Sequence, residues 1–510
     1  MQLQREFVRS AKKFGQKFAI IDKTVDKRLD YSKSLIGALL LQKKINSYRD
    51  GFIGVMIPNS AGSILTILGI LFSGKVPVMI NYSTGAAENS EYAQRKCGFK
   101  TIITSRTLVE KIGCRLVKGM VFIEDIMDSM TKGDKLKAAL KSKLPERLLL
   151  KTIHSGKIDD NAVILFTSGS EKEPKAVQLT HRNLLSNIES SRKRMDFSKD
   201  DIVLGILPFF HVFGQMANLW LSLTVGATIV SYANPLDYKR VCSVIREEKV
   251  SVMIATPVFF NGYLRQSKSG DFKSVRLAVA GADKMPNFLF EAYIKQHNIT
   301  IMEGYGTTET SPVVSLNSVK MHKQGSIGKP IDNVKVQILD INTGEVLSAG
   351  KEGRLVVKGD NVMKGYFDDI EETTRRIQNG WYDTGDVGML DEDGFVWHRG
   401  RLKRFVKIAG EMVSLVKVES EIIDIIPATI DCCVVEVPDS IKGARIIVAI
   451  TGDIDEKNIV KILQKKLPPI AVPKQFVFVH ELPKMGSGKI NFRKTTEIIK
   501  EKLRETNFLD

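Results

Sequence analysis

The sequence is poor in the residues that build disulfide frameworks and zinc sites. Its five cysteines form no CxxC pair, and its seven histidines are scattered at spacings untypical of zinc ligands. An odd number of cysteines in a chain of 510 residues favours a reduced cytosolic protein over a disulfide-bonded one. The N-terminal segment lacks the apolar core of a signal peptide. We therefore expect neither a zinc module nor a disulfide-rich secreted domain.

Charged residues are missing from one stretch, Ile202 to Leu236. A membrane-spanning helix needs about 20 predominantly apolar residues. Pro208 and Gly214 interrupt the first half of this stretch, and Gly226 divides the second half. The pattern predicts a strand, a loop, a buried helix and a second strand rather than a membrane span.

The net charge of +17 is unusual and indicates an acidic partner, whether nucleic acid, anionic lipid or an acidic protein. Charge alone does not choose among these partners. The basic residues form short clusters, as at Lys12-Lys13, Lys43-Lys44 and Lys465-Lys466, which a solvated surface also explains. Stacking aromatic residues do not alternate with them along a basic stripe, so nucleic acid is not expected to be a partner.

The order of apolar segments predicts an α/β fold in more than one domain. Apolar runs such as GFIGVMIP at 51–58 and NAVILF at 161–166 alternate with helical patterns, which is typical of parallel sheets covered by helices. Shorter, glycine-rich strands follow from about residue 325, and another α/β group fills the last hundred residues. We expect an N-terminal domain over 1–400, with a β-rich subdomain at about 325–400, and a small α+β domain over 401–510.

The sharpest local feature is the segment LFTSGSEKEPKAVQLTHRN at 165–183. Thr167, Ser168, Gly169 and Ser170 follow an apolar strand, and Lys175 comes soon after. Hydroxyl groups, a glycine that lets backbone N–H groups approach, and a mobile lysine suit a polyphosphate. The spacing differs from the GxxxxGK[ST] pattern, and an ordinary Ser/Gly turn explains this segment equally well when it is taken alone.

Further motifs occur in a fixed order along the chain. They are LPFFHVFG (207–214), EGYGTTET (303–310), YDTGDVG (382–388), GRLKRFVKIAGEMVS (400–414) and PKMGSGKINFRK (483–494). Together with the segment at 165–183, this series resembles the adenylate-forming superfamily of acyl-CoA synthetases, luciferases and peptide-synthetase adenylation domains. The resemblance covers essentially the whole chain.

The resemblance implies ATP and Mg²⁺ as cofactors, and it implies roles for individual residues. Thr167, Ser168, Gly169, Ser170 and Lys175 would hold the β- and γ-phosphates. Tyr305 would flank the adenine, Thr307 would contact the α-phosphate, and Glu309 would bind Mg²⁺. Asp386 would accept the ribose hydroxyls, with Arg401 beside the ribose or phosphate, His211 beside the substrate carboxylate, and Lys489 between that carboxylate and the α-phosphate. The joint presence of Glu309, Asp386, Arg401 and Lys489 argues against a catalytically inactive binding module.

The motif at 400–414 resembles the hinge about which family members rotate a mobile C-terminal domain. Lys403 occupies the hinge position, and Lys407, Gly410 and Glu411 would approach the active site in the state that forms the thioester. We predict that Gly410→Leu blocks thioester formation and spares adenylate formation. Separate assays of the two half-reactions test this, and an unimpaired second half-reaction would contradict it.

The acid and the thiol are indicated by finer features. The 207–221 stretch has no acidic residue to pair with a substrate amine, and Phe209, Phe210, Phe213 and Trp220 suit a long apolar chain, although core packing also explains them. GRLKRFVKIAGEMVSLVKVE resembles the synthetase half of bifunctional acyl-acyl-carrier-protein synthetase/2-acylglycerophosphoethanolamine acyltransferases. The 165–183 segment departs from the family pattern, because Glu171-Lys172-Glu173 replaces a glycine-containing stretch and Ala176 replaces glycine.

These features predict ATP-dependent activation of a long-chain fatty acid and its transfer to acyl carrier protein. Acyl carrier proteins are strongly acidic, and a basic enzyme suits them. The alternative is a long-chain fatty acid–CoA ligase, since CoA is also an anion. The expected location is the cytoplasm, and contact with the inner face of the membrane stays open.

Overall fold

A computed structural model describes residues 2–167, 173–408, 411–427, 429–439, 443–484 and 490–505. The first elements in chain order are α1 (Leu3–Phe14), β1 (Phe18–Asp22), β2 (Lys27–Asp30), α2 (Tyr31–Ile45), β3 (Phe52–Met56), α3 (Ala61–Phe72), β4 (Val76–Met79), α4 (Ala86–Cys97), β5 (Ile102–Thr104), α5 (Arg106–Lys111), β6 (Met120–Phe122), α6 (Ile123–Asp128), α7 (Lys132–Lys143), α8 (Glu146–Lys151), β7 (Asn161–Phe166), β8 (Ala176–Thr180) and α9 (His181–Arg194).

The middle of the chain continues the alternation of strands and helices. Its elements are β9 (Ile202–Gly205), a π-helix (Gly214–Trp220), α10 (Leu221–Val225), β10 (Thr228–Ser231), α11 (Tyr238–Glu247), β11 (Val252–Ala255), α12 (Pro257–Gln266), β12 (Leu277–Ala280), α13 (Asn287–His297), β13 (Ile301–Gly306), β14 (Val313–Leu316) and β15 (Lys329–Pro330).

The last third is richer in strands. Its elements are β16 (Val334–Leu339), β17 (Glu352–Gly359), β18 (Gly365–Tyr366), α14 (Ile370–Arg376), β19 (Ile377–Gln378), β20 (Trp381–Leu390), β21 (Val396–Arg401), β22 (Phe405–Ile408), β23 (Glu411–Ser414), α15 (Leu415–Ile423), β24 (Cys432–Asp439), β25 (Gly443–Ile450), α16 (Glu456–Lys466), β26 (Gln475–Phe478) and α17 (Phe492–Glu505), with 3₁₀ turns at Thr308–Thr310, Leu402–Arg404 and Pro469–Ala471.

Two large sheets carry the N-terminal part. The nine-stranded sheet has the order β15-β14-β13-β12-β11-β9-β10-β1-β2, and the seven-stranded sheet has the order β18-β8-β7-β4-β3-β5-β6. Strands β13 to β1 in the first order, and β7 to β6 in the second, run parallel. Antiparallel strands occur only at the edges among these pairings, as expected when helices connect buried parallel strands.

The helix after β3 shows how local sequence sets one of these connections. The Ser60 hydroxyl accepts a hydrogen bond from the Ser63 backbone N–H, and the Ser63 hydroxyl accepts one from the Ser60 N–H. This reciprocal cap satisfies backbone donors at the first turn and so begins α3 at Ala61. Gly69 lets α3 lie close to α2, because a Cβ at this position would lie 2.8 Å from Leu41 Cβ.

The uncharged stretch from 202 to 236 folds as predicted, into β9, a loop, a buried helix and β10. The helix begins as a π-helix, in which Trp220 is buried and donates from Nε1 to Gln215 Oε1 at 3.1 Å. π-helical turns are rare in proteins, and many of those that occur lie at functional sites. In the described part of the chain, no helix combines the length and the apolar character that crossing a membrane requires.

The remaining strands form smaller sheets. β16, β17, β20, β19 and β21 make an antiparallel sheet, whereas β24, β25 and β26 make a mixed sheet nearer the C-terminus. A separate apolar cluster, which begins at Val406 and includes Ile422 and Leu463, fills the C-terminal part. The predicted fold class, with parallel-rich sheets, a β-rich subdomain and a small C-terminal domain, is therefore confirmed, whereas the division at residue 400 stays a prediction.

Candidate functional site

A cavity of about 510 Å³ lies where several parallel strands end. Its walls come from residues directly after β7, β9, β11 and β12, and from the end of β13. Residues 354, 366, 375–376 and 382–385 of the β-rich part, and residues 401–403, complete the wall. Carboxyl ends of parallel strands are the usual ligand-binding edge of such sheets. The topology therefore brings together motifs that are far apart in the sequence.

One end of the cavity is built around Asp386. The antiparallel register of β20 and β21 pairs Asp386 with Arg401, and Arg401 Nε lies 3.3 Å from Asp386 Oδ1. The Tyr305 hydroxyl donates a hydrogen bond to Asp386 Oδ2. The His398 ring lies 5.5 Å from the Tyr305 ring, between centroids, and its Nε2 is 3.8 Å from Asp386 Oδ1. Tyr305, Asp386 and Arg401, which were predicted from the sequence, thus meet here. His398, which was not predicted, lies beside them.

The electrostatics of this end favour an ionised carboxylate. Burial by itself would raise the pKa of Asp386, but interaction with His398 and the charge of Arg401 hold it below its ordinary value. Burial, together with the charge of Asp386, raises the pKa of Tyr305 well above its ordinary range, so its phenol stays a donor. Asp386 Oδ1 is buried and accepts no hydrogen bond from the described residues, and Arg401 Nε is paired with it through charge alone.

The next part of the cavity holds Thr307 and Glu309, directly after β13. The Thr307 side chain caps the short Thr308–Thr310 turn, which fixes the position of Glu309. The buried Glu309 carboxylate accepts a hydrogen bond from the Tyr366 hydroxyl at 2.9 Å. Burial raises the pKa of Tyr366, which keeps this donor protonated. The Glu309 carboxylate therefore faces the cavity, and one of its oxygens accepts a hydrogen bond from the neutral Tyr366 phenol.

Cations gather beside these residues. Thr167 and Lys175 are paired by two hydrogen bonds. Thr167 N donates to Lys175 O at 3.0 Å, and Lys175 N donates to Thr167 Oγ1 at 3.2 Å. Lys175 Nζ forms an ion pair with Glu372 of α14, and Arg376 Nε lies 3.1 Å from the same carboxylate. Burial would raise the pKa of Glu372, but Lys175 and two arginines lower it.

Part of the lining is apolar. It includes Leu207, Val212, Phe213, Phe259 and Leu316, and His211 lines the same cavity. Two glycines keep it open. A Cβ at Gly281 would lie 2.9 Å from the Phe213 ring, and one at Gly304 would lie 2.8 Å from a Leu316 methyl group.

The aromatic residues predicted for this apolar lining divide into two groups. Phe213 lines the cavity, as expected. Phe209, Phe210 and Trp220 are instead buried in the core and are not among the described residues that line the cavity, so that part of the prediction is wrong. Phe210 packs edge-on against Tyr82, with ring centroids 4.9 Å apart. Spacing alone did not separate a lining aromatic residue from a packed one.

Most of the predicted site residues lie in one place. The cavity lining includes Thr167, Lys175, His211, Tyr305, Thr307, Glu309, Arg401 and the predicted hinge residue Lys403. Asp386 does not line the cavity itself but contacts the lining residues Tyr305 and Arg401. The predicted residues Ser168, Gly169, Ser170, Gly410 and Lys489 lie outside the described residues.

Several polar residues in or beside the cavity wall were not predicted from the sequence. They are Arg354, Tyr366, Glu372, Arg375, Arg376, Asp383 and His398. The ion pairs of Glu372 with Arg375 and Arg376 could have been predicted. The acidic and basic residues of IEETTRR at 370–376 stand at i,i+3 and i,i+4 spacing, shortly before the YDTGD motif. The pairing of Arg354 with Asp383, whose charged atoms are 3.4 Å apart, depends on the register of β17 and β20 and had no such signal.

Comparison with known proteins agrees with the geometry of the cavity. The AMP-binding enzyme family matches residues 7–367, and the AMP-binding enzyme C-terminal domain matches residues 417–489. A long-chain-fatty-acid–CoA ligase of Bacillus subtilis (strain 168) is 29% identical over 533 residues, which cover 97% of this chain and 94% of the relative. A 4-coumarate-CoA ligase 1 of Narcissus pseudonarcissus is 27% identical over 504 residues, which cover 94% of this chain and 90% of the relative.

Solved structures show the same fold. ATP-bound MatB from Rhodopseudomonas palustris superposes with a TM-score of 0.84 at 23% identity, covering 98% of this chain and 99% of the other. The match to the AMP-binding enzyme family extends over more than half of the chain. The chain therefore belongs to the AMP-binding enzyme family.

Proposed function

We propose that the protein activates a long-chain fatty acid with ATP and transfers the acyl group to a carrier thiol. The observation that carries this proposal is the continuity of one cavity. Arg401 paired with Asp386, the cations Lys175 and Arg376, and apolar residues such as Phe213 all border this cavity, and these three groups suit the sugar, the phosphates and the acyl chain of a fatty acyl-adenylate. A carboxylate oxygen would attack the α-phosphorus, the bond to the β-phosphate would break, and pyrophosphate would leave with its electron pair.

The nucleotide would bind along the polar wall. Asp386, which contacts the lining residues Tyr305 and Arg401, would accept a hydrogen bond from a ribose hydroxyl, and the Tyr305 ring would offer a face to adenine. Lys175 and Arg376 would neutralise the β- and γ-phosphates, since joining two anions requires positioned positive charge. Thr307 would contact the α-phosphate. Lys489 is proposed on the resemblance alone to bridge the acid and the α-phosphate.

Mg²⁺ fits the residues around Glu309. This ion prefers octahedral oxygen ligands and is usually held by one or two carboxylates together with substrate phosphates. Glu309 supplies one carboxylate at the phosphate part of the cavity. In the described residues no group of three or more His, Cys, Asp or Glu could hold a metal ion without a substrate. When bound with ATP, Mg²⁺ would neutralise phosphate charge and orient the oxygens.

An apolar acid is favoured by the apolar part of the cavity lining. Leu207, Val212, Phe213, Phe259 and Leu316 offer no charge to a substrate amine or to a second carboxylate. Several relatives are named long-chain-fatty-acid–CoA ligases, which supports a fatty acid as the substrate. His211 at the border would lie next to the acid's carboxylate.

Two acceptor thiols are candidates. Acyl carrier protein is favoured by the resemblance over residues 400–419 and by the net charge of +17, which would attract an acidic carrier. CoA is favoured by the names of the relatives, which are CoA ligases. In either case the thiol sulfur would attack the carbonyl carbon of the adenylate, and AMP would leave with the electron pair of the broken C–O bond.

The decisive experiment offers both thiols to the purified protein. Mg-ATP and a long-chain fatty acid are supplied at near-physiological salt, with holo acyl carrier protein and CoA in parallel, and the products are identified by intact mass. Acylated carrier protein with little acyl-CoA supports the first acceptor, and the reverse supports the second. Release of AMP with neither thioester would contradict both acceptors, and absence of ATP–pyrophosphate exchange with every acid would contradict the adenylation itself.

A further inference from the structure

Helix α7 points its large apolar side chains away from the core. Leu136 and Leu140, one turn apart on the same face, are 62% and 59% exposed. The buried residue of this helix is a small one, Ala138. A helix that packs on a globular core normally does the opposite, with its leucines inward. In α8, which follows at once, Leu148 is also 47% exposed.

Positive charge surrounds these leucines. The segment 132–151, here named the α7–α8 face, has seven Lys or Arg residues and two Asp or Glu residues, for a net charge of +5. Lys132, Lys135, Lys137 and Lys143 are all exposed. Exposed leucines surrounded by lysines offer a bilayer surface both apolar contact and positive charge.

The inner side of α7 fixes this orientation. Asp134 completes a reciprocal cap with Thr131 and forms an ion pair with Lys43 of α2. Lys12 Nζ of α1 donates to Ser142 O at 2.6 Å. Lys12 and Lys43, which are far apart in the sequence, therefore both lie next to α7.

We propose that the α7–α8 face binds the surface of an anionic lipid bilayer. Leu136 and Leu140 enter the boundary between headgroups and acyl chains, and the lysines lie against lipid phosphates. An acidic carrier protein is a poorer fit, because a carrier must present its thiol at the cavity. None of the described residues that line the cavity belongs to α7 or α8. This proposal depends on neither the proposed acid nor the proposed thiol.

The test is co-sedimentation with vesicles of phosphatidylglycerol and phosphatidylcholine, compared with vesicles of phosphatidylcholine alone. We expect the protein to bind the anionic vesicles and not the neutral ones. K135Q/K137Q/K143Q should lower the partition coefficient at least about tenfold, since each lysine near an anionic surface contributes separately. L136Q/L140Q, which keeps good helix formers on α7, should lower it at least about fivefold.

Matched controls come from exposed residues elsewhere. K457Q/K461Q/K465Q removes the same charge from α16, and Leu236→Gln removes a leucine that is 59% exposed in a loop. Both controls should bind vesicles within about twofold of the wild-type protein. Thermal melting and ATP–pyrophosphate exchange should be unchanged in the α7 variants, which shows that folding and adenylation are intact.

Three outcomes would overturn the proposal. Equal binding to neutral vesicles would show that anionic lipid is not recognised. An equal loss of binding in the α16 control would show that only net charge matters. Unchanged vesicle binding by the lysine variant, together with slower acylation of acyl carrier protein, would assign the α7–α8 face to a protein partner.

Discussion

Two buried carboxyl groups near the cavity have opposite protonation behaviour. Asp386 and Glu303 are 2% and 6% exposed, so burial opposes ionisation of both. The pKa of Asp386 is nevertheless lowered, because His398 and Arg401 interact with it. Burial raises the pKa of Glu303 to about 7, since backbone N–H groups of Met285 and Gly325 and the distant charge of Lys284 compensate only in part. Adjacent cations, rather than burial, decide which carboxyl group remains an anion at neutral pH.

The two carboxyl groups also differ in what they contact. Neither is among the described residues that line the cavity, but Asp386 contacts two residues that are, Tyr305 and Arg401. Glu303 instead accepts a hydrogen bond from Met285 N at 3.2 Å. Substitutions at both carboxyl groups and at neighbouring residues test this contrast.

Removal of the Asp386 carboxylate should have the largest effect. Asp386→Ala deletes the proposed acceptor of the ribose and leaves Tyr305 and Arg401 without their shared partner, and lost hydrogen bonds to charged groups cost about 1.5–3 kcal/mol each. We expect kcat/KM for ATP in pyrophosphate exchange to fall about 100- to 1000-fold. Asp383→Asn, which changes a less buried carboxylate paired with Arg354, is the control and should cost less than about tenfold.

Glu303 should make stability depend on pH. Its folded pKa of about 7 lies above the ordinary value of 4.5, so the folded state binds the proton more tightly than the unfolded state. The resulting stabilisation is complete below about pH 4.5 and is lost as the pH rises through 7, with a total of roughly 3 kcal/mol. Urea denaturation at pH 5 and pH 8 measures this loss.

Glu303→Gln is the matched control for that experiment. Its amide is neutral at every pH, so the part of the pH dependence that comes from Glu303 should disappear. A wild-type protein and a Glu303→Gln variant with the same pH dependence would show that Glu303 does not titrate in this range.

An intermediate effect is expected at Glu372. This carboxylate holds Lys175 and Arg376 in place, and on ATP binding both cations would exchange it for phosphate oxygens. Glu372→Gln should raise KM for ATP up to about tenfold and leave kcat within about threefold, because the cations remain but are positioned less well. A fall in kcat at unchanged KM would instead mean that Glu372 acts in the chemical step.

The smallest effect is expected at His398. His398 Nε2 is 3.8 Å from Asp386 Oδ1, and its interaction is one of several that lower the pKa of Asp386. In His398→Phe this pKa should rise toward its ordinary value, which still leaves Asp386 ionised at pH 7. We expect kcat/KM for ATP to fall less than about fivefold at both pH 7 and pH 5, because a pKa near its ordinary value leaves Asp386 ionised at both. A loss as large as that of Asp386→Ala would show that His398 binds the nucleotide directly.

Much of the site could be predicted from short segments of sequence. EGYGTTET places Tyr305, Thr307 and Glu309 within five residues at the end of one strand, so strand geometry alone keeps them together. The aromatic residues at 209–220 could not be assigned in this way. A loop and a π-helix turn Phe213 toward the cavity and Phe209, Phe210 and Trp220 toward the core, and no sequence period reports that turn.

Local sequence by itself determined the alternation of strands and helices, the cap at Ser60, the order of the motifs and the excess of positive charge, since each depends on residues that are near neighbours in the chain. The tertiary structure alone decided which distant residues meet. Strand register places Arg401 opposite Asp386, α14 brings Glu372 to Lys175, and the packing of α7 turns its leucines to the surface. These contacts join segments separated by many residues, and their geometry follows from the packing of whole sheets and helices rather than from any one segment.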